Sequence, residues 1–198
     1  AFPEDGCTSG KHESITNLEF FSLLSRAFLK IFAGSSSAGI IFRVDLRLRP
    51  FGENGPLIMN FNFLEEYYEA QGREWERYAW IKGRCIAGDH HAANSLLETL
   101  KPFIYRRYLD YGAFESLRDM KQMIALEVKK KGVQDNIKLG RGGIREVEFF
   151  GQAFQLIRGG VIPDLQEQRI QKVLKILVRE KIISENTCEE LLSSYEFL

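Results

Sequence analysis

The sequence contains no apolar run approaching the ~18 residues that a membrane-crossing helix needs, and no signal-peptide pattern precedes its first polar segment. Cysteine is scarce. Cys7, Cys85 and Cys188 are far apart, odd in number and without C-x-x-C spacing, which excludes a disulfide framework and a cysteine zinc site. A reduced, cytoplasmic protein is expected. Excess charge is absent as well: 27 Lys+Arg balance 27 Asp+Glu, so nothing draws the chain as a whole to nucleic acid or to an anionic membrane. Any anion site has to be local. There is no internal repeat and no low-complexity tract. The chain opens on Ala1 rather than Met, and L-L-S-S-Y-E-F-L ends it inside an amphipathic pattern, so a piece of a longer polypeptide is expected.

What is present is the composition of a globular protein, 198 residues with 44% hydrophobic and 27% charged. The opening A-F-P-E-D-G-C-T-S-G-K reads as loop. Thr16 followed by Glu19 makes a capping box. Behind it Phe20, Phe21, Leu24, Ala27, Phe28, Ile31 and Phe32 recur at helical spacing, which predicts one broad buried face up to Gly34. From Ile40 to Arg49 the period becomes two, with Phe42, Val44, Leu46 and Leu48 on one side and Arg43, Asp45, Arg47 and Arg49 on the other. That predicts a strand stopped by Pro50, a turn over Phe51–Gly55, and a short return strand over Leu57–Phe61. The rest reads as helix, over roughly 62–82, 90–100, 113–131, 143–158, 164–181 and 185–198, jointed at glycines and at Pro102 and Pro163. The predicted class is α+β, mostly α: a partial α/β sheet portion over 1–61 followed by a helical domain over 62–198.

Two stretches carry chemistry. Asp45 shares a strand face with three arginines. Either this is a solvated sheet face with ion pairs, or the carboxylate holds a divalent metal and the arginine forks neutralise phosphate oxygens. One Asp alone cannot make a two-metal site, and no D-x-D pair lies on a convincing strand. In N-I-K-L-G-R-G-G-I-R-E-V-E-F-F, Gly140, Gly142 and Gly143 lead straight into a helix whose start favours anions, with Lys138, Arg141 and Arg145 around it. On that helix Ile144, Val147, Gly151 and Phe154 form a packing stripe, and Arg145, Glu148, Gln152 and Gln155 a polar face. The alternative is a glycine-rich turn before a solvated helix with an Arg145–Glu148 pair; no K-[ST] follows, so this is not a Walker loop. The aromatic segment around Trp75 reads as core through Leu64, Tyr68, Trp75 and Ala79. Lys129–Lys131 complement a helix end, and His90 and His91 lack a third ligand for zinc.

The string F-R-V-D-L-R-L-R-P-F-G-E-N-G-P-L closely resembles the third-carboxylate strand of the bifunctional glutamine synthetase adenylyltransferase/adenylyl-removing enzymes, and the resemblance runs over essentially the whole chain. It implies a nucleotidyltransferase-fold sheet portion, with Asp45 as a catalytic metal ligand in a two-Mg²⁺ site and Arg47 and Arg49 near substrate phosphates. The family's D-x-D pair precedes a segment similar to A-F-P-E-D-G, so it is expected upstream of Ala1, and the piece alone is expected to be inactive. Similar K-x-G-x-G-G-I-R-[DE] strings occur here and in the related uridylyltransferase that modifies the PII protein. They imply that Lys138, Gly142, Gly143, Arg145 and Glu146 contact phosphate or nucleotide beside the catalytic cleft. R-P-F-G-E-N-G-P-L, K-P-F-I-Y-R-R-Y-L-D and the glycine-rich string look more like the N-terminal, adenylyl-removing half, which implies phosphorolysis: phosphate in, ADP out. The implied partners are glutamine synthetase, a PII-type protein and ATP, ADP and phosphate. Two alternatives stay open: the transferring half, which moves AMP from ATP, or a non-catalytic helical module that binds a partner.

Overall fold

The computed structural model describes residues 1–10, 13–33, 44–107, 111–130, 137–138 and 143–197, with some side chains between 111 and 129 left aside. The chain divides into two compact units, one of residues 1–72 and 85–100, the other of 73–84 and 101–198.

In the first unit, α1 (Asn17–Ala33) starts at the capping box the sequence predicts. The Thr16 N–H donates to the Glu19 carboxylate at 2.9 Å, and the Glu19 N–H donates back to the Thr16 hydroxyl at 3.2 Å. The second helix, α2 (Phe61–Ala70), is capped by Asn60, whose side-chain oxygen accepts from the Phe63 N–H. The opening stretch is more than a loop. Phe2 pairs with Asn60 in a parallel bridge and is buried, its ring stacked on Phe21 at 5.4 Å. Met59, Leu64, Tyr67 and Tyr68 complete this core.

Two expectations for this unit fail. The face predicted to be buried on α1 is largely open: Leu24 is 52% and Ile31 66% exposed, and Phe20 and Phe28 are exposed too. The helix is apolar on two sides. Phe21, Leu29 and Phe32 are the half-buried ones, and the Phe20–Leu24–Ala27–Phe28–Ile31 side is the other. Periodicity marks both sides as apolar without saying which finds a partner. The predicted strands are also not formed: 44–49 is irregular, with 40–43 outside the described residues, and 57–61 gives only the Asn60 bridge before α2 begins at Phe61. Among the described residues the only β pairings are the bridges Phe2–Asn60 and Cys7–Thr16. A strand needs a neighbour to take its ladder bonds; here local side-chain bonds from Asp45 and Arg49 take backbone groups of the segment instead. The described chain is therefore mostly helical, without the sheet.

The predicted 62–82 helix is two helices. α2 ends at Ala70, and α3 (Glu74–Trp80) restarts after Gln71-Gly72, its first turn closed by the Arg73 N–H donating to Glu76. On α3 the most buried side chains are Glu76 and Arg77, while Trp75 and Ala79 are half-buried. α4 (His90–Ile104) runs through Pro102, which the sequence reading took for a joint. Pro102 falls in the last turn, two residues before the helix end, where its missing N–H removes one intrahelical bond, the one to the Glu98 carbonyl. The carbonyls that every helix end leaves without an intrahelical donor are taken separately by Arg77, 1% exposed, which donates to the Phe103 carbonyl at 2.9 Å and the Ile104 carbonyl at 3.1 Å and pairs with Glu74.

The second unit adds α5 (Tyr111–Lys130), α6 (Ile144–Arg158), a 3-10 turn (Pro163–Gln166), α7 (Ile170–Arg179) and α8 (Glu185–Phe197). On α7 Ile170, Val173, Leu174 and Leu177 fall at i, i+3, i+4 and i+7, and all are buried against Val147, Leu165 and Cys188. The approach of α6 to α7 is set by Gly151, where an added Cβ would lie 2.2 Å from the Ile170 Cδ1. Gln152 and Gln155, read from the sequence as part of a polar face, are buried. Gln155 donates its amide to the Leu165 and Glu167 carbonyls at 2.6 Å each, pinning the 3-10 turn to α6. The cysteines are free thiols, and no helix among the described residues is long and apolar enough to cross a membrane.

Candidate functional site

The candidate residues of the first unit sit on the irregular segment 44–55. Asp45 and Arg47 are brought together. The Arg47 Nε lies 3.0 Å from Oδ1 and its Nη2 2.6 Å from Oδ2, a two-pronged pairing that the Arg47 N–H reinforces at 3.0 Å. Side-chain exposures are 63% for Arg47 and 44% for Asp45, so the pair contributes little to stability. Its interest is geometric: Arg47 already holds a planar oxyanion in a fork. Arg43 lies outside the described residues.

Arg49 points elsewhere. Its Nη2 donates to the Glu53 carbonyl at 3.1 Å, its Nε and Nη2 to the Gly55 carbonyl at 3.3 Å, and its Nη1 to the Leu46 carbonyl. These bonds close a turn in which Phe51 (φ 59°) and Gly52 (φ 58°) are both left-handed. Gly55 is required there, since a Cβ would come within 1.9 Å of the Pro50 carbonyl oxygen.

The fit of Mg²⁺ to these residues is poor as they stand. Asp45 is one carboxylate already engaged by a guanidinium, and among the described residues no three His, Cys, Asp or Glu side chains group to hold a metal.

In the second unit Gly143 caps α6 in extended conformation. The amides that would cradle an anion have protein acceptors: Ile144 N–H donates to the Ile137 carbonyl at 3.1 Å, Arg145 N–H to the Lys138 carbonyl at 3.1 Å, and Glu146 N–H to the Gly143 carbonyl at 2.9 Å. Lys138, Gly143, Arg145 and Glu146 are thereby gathered into one turn, with the three side chains exposed. Gly142, together with Gly140 and Arg141, lies outside the described residues. Glu148 pairs with Lys82 at 3.7 Å.

Sequence reasoning missed Tyr78 and Lys82 beside this turn. Burial pushes the Tyr78 hydroxyl up to about 12; positive Arg145 pulls the other way and negative Glu148 adds to the rise. Its ring lies 5.7 Å from Phe149. The only signal available for Tyr78 was its place in an aromatic, charged segment, which says core but not beside which charge. A cleft of about 450 Å³, lined by Glu146, Phe149, Phe150, Phe154, Leu191 and Lys121 among others, was likewise not visible from the sequence.

Comparison with known proteins places both stretches. Residues 1–99 match the family model described as glutamate-ammonia ligase adenylyltransferase, and residues 118–198 match that of GlnD PII-uridylyltransferase. The bifunctional glutamine synthetase adenylyltransferase/adenylyl-removing enzyme of Nitrosococcus oceani is 52% identical over 198 residues, all of this chain and 20% of that protein. Its namesake in Pseudomonas aeruginosa is 51% identical over 197 residues, and that in Pseudomonas syringae pv. tomato 52% over 198, each again with 20% of its own length covered. The chain spans about a fifth of the length of the curated relatives it matches.

Proposed function

Because this chain belongs to the glutamate-ammonia ligase adenylyltransferase family, we propose that it is part of a polypeptide that regulates glutamine synthetase by reversible adenylylation, and that it comes from the half that removes AMP. The whole-chain identity to bifunctional enzymes supports the first statement. The second rests on the likeness of R-P-F-G-E-N-G-P-L and N-I-K-L-G-R-G-G-I-R-E to the removing half. One observation carries the site assignment: Arg47 grips the Asp45 carboxylate in the two-pronged geometry with which it would grip two phosphate oxygens.

In the proposed reaction an oxygen of inorganic phosphate attacks the phosphorus of adenylyl-tyrosine in line. A P–O bond to phosphate forms as the P–O bond to the tyrosine breaks, giving ADP, and the released phenolate takes up a proton. Arg47 binds and orients phosphoryl oxygens and offsets their charge. Lys138, Arg145 and Glu146 are proposed to contact phosphate or nucleotide through their side chains, since the Ile144, Arg145 and Glu146 amides already have acceptors, and Gly142 and Gly143, in the same stretch, through their backbone. A two-Mg²⁺ site would take Asp45 as one ligand. The described residues do not complete such a site, so no step is routed through metal. A PII-type protein is proposed as a regulatory partner, supported by the match of residues 118–198.

The test uses a polypeptide of the relatives' length carrying this chain, incubated with adenylylated glutamine synthetase, Mg²⁺ and phosphate. Phosphate-dependent ADP release that Asp45→Asn abolishes is the expected result. AMP transfer from ATP to unmodified glutamine synthetase, without ADP release, would assign the chain to the transferring half instead. Partner binding with neither reaction would leave a non-catalytic module.

A further inference from the structure

The two arginines that the family resemblance pairs as phosphate neighbours are used differently by the fold. Arg47 reaches outward to a carboxylate at the surface. Arg49 turns back on its own loop and bonds three carbonyls, those of Leu46, Glu53 and Gly55, which lie on both sides of the turn. Two backbone bonds lie inside that clamp, Gly52 N–H to the Arg49 carbonyl at 2.8 Å and Gly55 N–H to the Gly52 carbonyl at 3.2 Å.

The clamp holds an unfavourable conformation. A phenylalanine in the left-handed region is a genuine outlier, whose cost the surrounding structure must offset. Phe51 occupies that region and directs its ring edge-on to Tyr67 at 4.8 Å, with Phe63 at 6.4 Å, so the turn is also fastened to α2. The segment is thus tied from within by Arg49 and to a helix by Phe51. Arg47 leaves it two residues before Arg49, inside the clamped span, and its carbonyl lies 4.0 Å from where a Gly52 Cβ would stand.

We propose that Arg49 is a positioning residue, whose guanidinium builds the 46–55 turn and thereby sets the aim of Arg47, and that Arg47 is the one of the two that exchanges Asp45 for a phosphate-bearing ligand. This rests on the phosphate-handling reading above. The chemistry separates the roles. Three carbonyls at different places require the planar guanidinium fork, which lysine lacks, whereas at position 47 lysine keeps the charge that attracts phosphate and loses only the two-pronged grip.

The test is made on the 198-residue chain with ¹⁵N-labelled arginine and backbone, using inorganic phosphate and AMP as probes. In the wild type, either probe shifts the Arg47 Nε–Hε signal and leaves that of Arg49 in place. Arg49→Lys and Arg49→Gln alike speed hydrogen exchange at the Gly52 and Gly55 amides about tenfold and weaken the phosphate response of Arg47 severalfold. Arg47→Lys keeps the exchange protection and a weakened phosphate response at neighbouring amides, and Arg47→Gln keeps the protection but loses the response. A phosphate shift at Arg49, or wild-type behaviour of Arg49→Lys in both readouts, overturns the inference. Faster exchange with an unchanged phosphate response reduces Arg49 to a structural clamp and overturns its positioning role. A wild type that responds to neither probe sinks the phosphate-handling reading itself, and the positioning role with it.

Discussion

Tyr78 and Tyr105 report their surroundings through their protons. Burial is the first cause in both, and each hydroxyl is pushed up to about 12 from the ordinary value of 10. A folded-state value above the unfolded one means the native state keeps its proton longer. The associated stability is intact below about pH 10 and is lost as pH rises toward about 12. Absorbance of phenolate followed against pH is therefore expected to show Tyr78 and Tyr105 titrating late, with Tyr195 also raised by burial, and stability to urea falling over the same window. Tyr78→Phe is expected to remove one late titration; a spectrum unchanged by that substitution would contradict the assignment. At this scale the sequence was legible in kind more than in role. Asp45, Arg47 and Arg49 were recognisable as charge-bearing candidates from a period-two pattern, and Asp45 and Arg47 do meet. The clamp by Arg49 was not legible, because its partners are backbone carbonyls whose positions exist only once the turn has formed.

Among the elements, the α6–α7 contact turns on one absent side chain. Gly151→Ala puts a methyl group where Ile170 Cδ1 already lies, and forcing the helices apart is expected to destabilise the chain by about 1–3 kcal/mol. Ile170→Val, which removes that Cδ1, is expected to recover part of the loss in the double variant, measured by urea unfolding. Fully additive losses would show that the two positions do not share the contact. Helix existence was largely readable, since α1, α4, α5, α6 and α8 fall within a few residues of their periodic patterns, whereas the helix predicted over 164–181 is a 3-10 turn, Pro163–Gln166, followed by α7 from Ile170. The breaks were less so. Gln71-Gly72 splits one predicted helix, while Pro102 does not end another: it costs a single bond in the last turn, and Arg77 caps the carbonyls at that helix end. That cap comes from 26 residues away in sequence and leaves no local mark.

For the molecule as a whole, zero formal net charge coincides with an open apolar side on α1. Without net repulsion, chains bearing exposed apolar surface associate most readily near neutrality. Light scattering is expected to show the lowest solubility near pH 7 and clear improvement on moving away from it. Leu24→Glu, at an exposed position, is expected to raise solubility with less than about 0.5 kcal/mol change in stability. A large loss of stability in that variant would mean Leu24 is packed after all.

By itself the sequence determined the mostly helical character, the capping box that starts α1, the apolar stripe that makes α7 a core helix, and the family to which the chain belongs. Each of these is written in local spacing or in residue-by-residue likeness. Only the tertiary structure decided which side of α1 is covered, that Gln152 and Gln155 go inside, that residues 44–49 form no strand, and that Arg49 serves the turn while Arg47 faces outward. Burial and hydrogen-bond partnership depend on what the rest of the fold brings alongside, and periodicity carries no information about the neighbour.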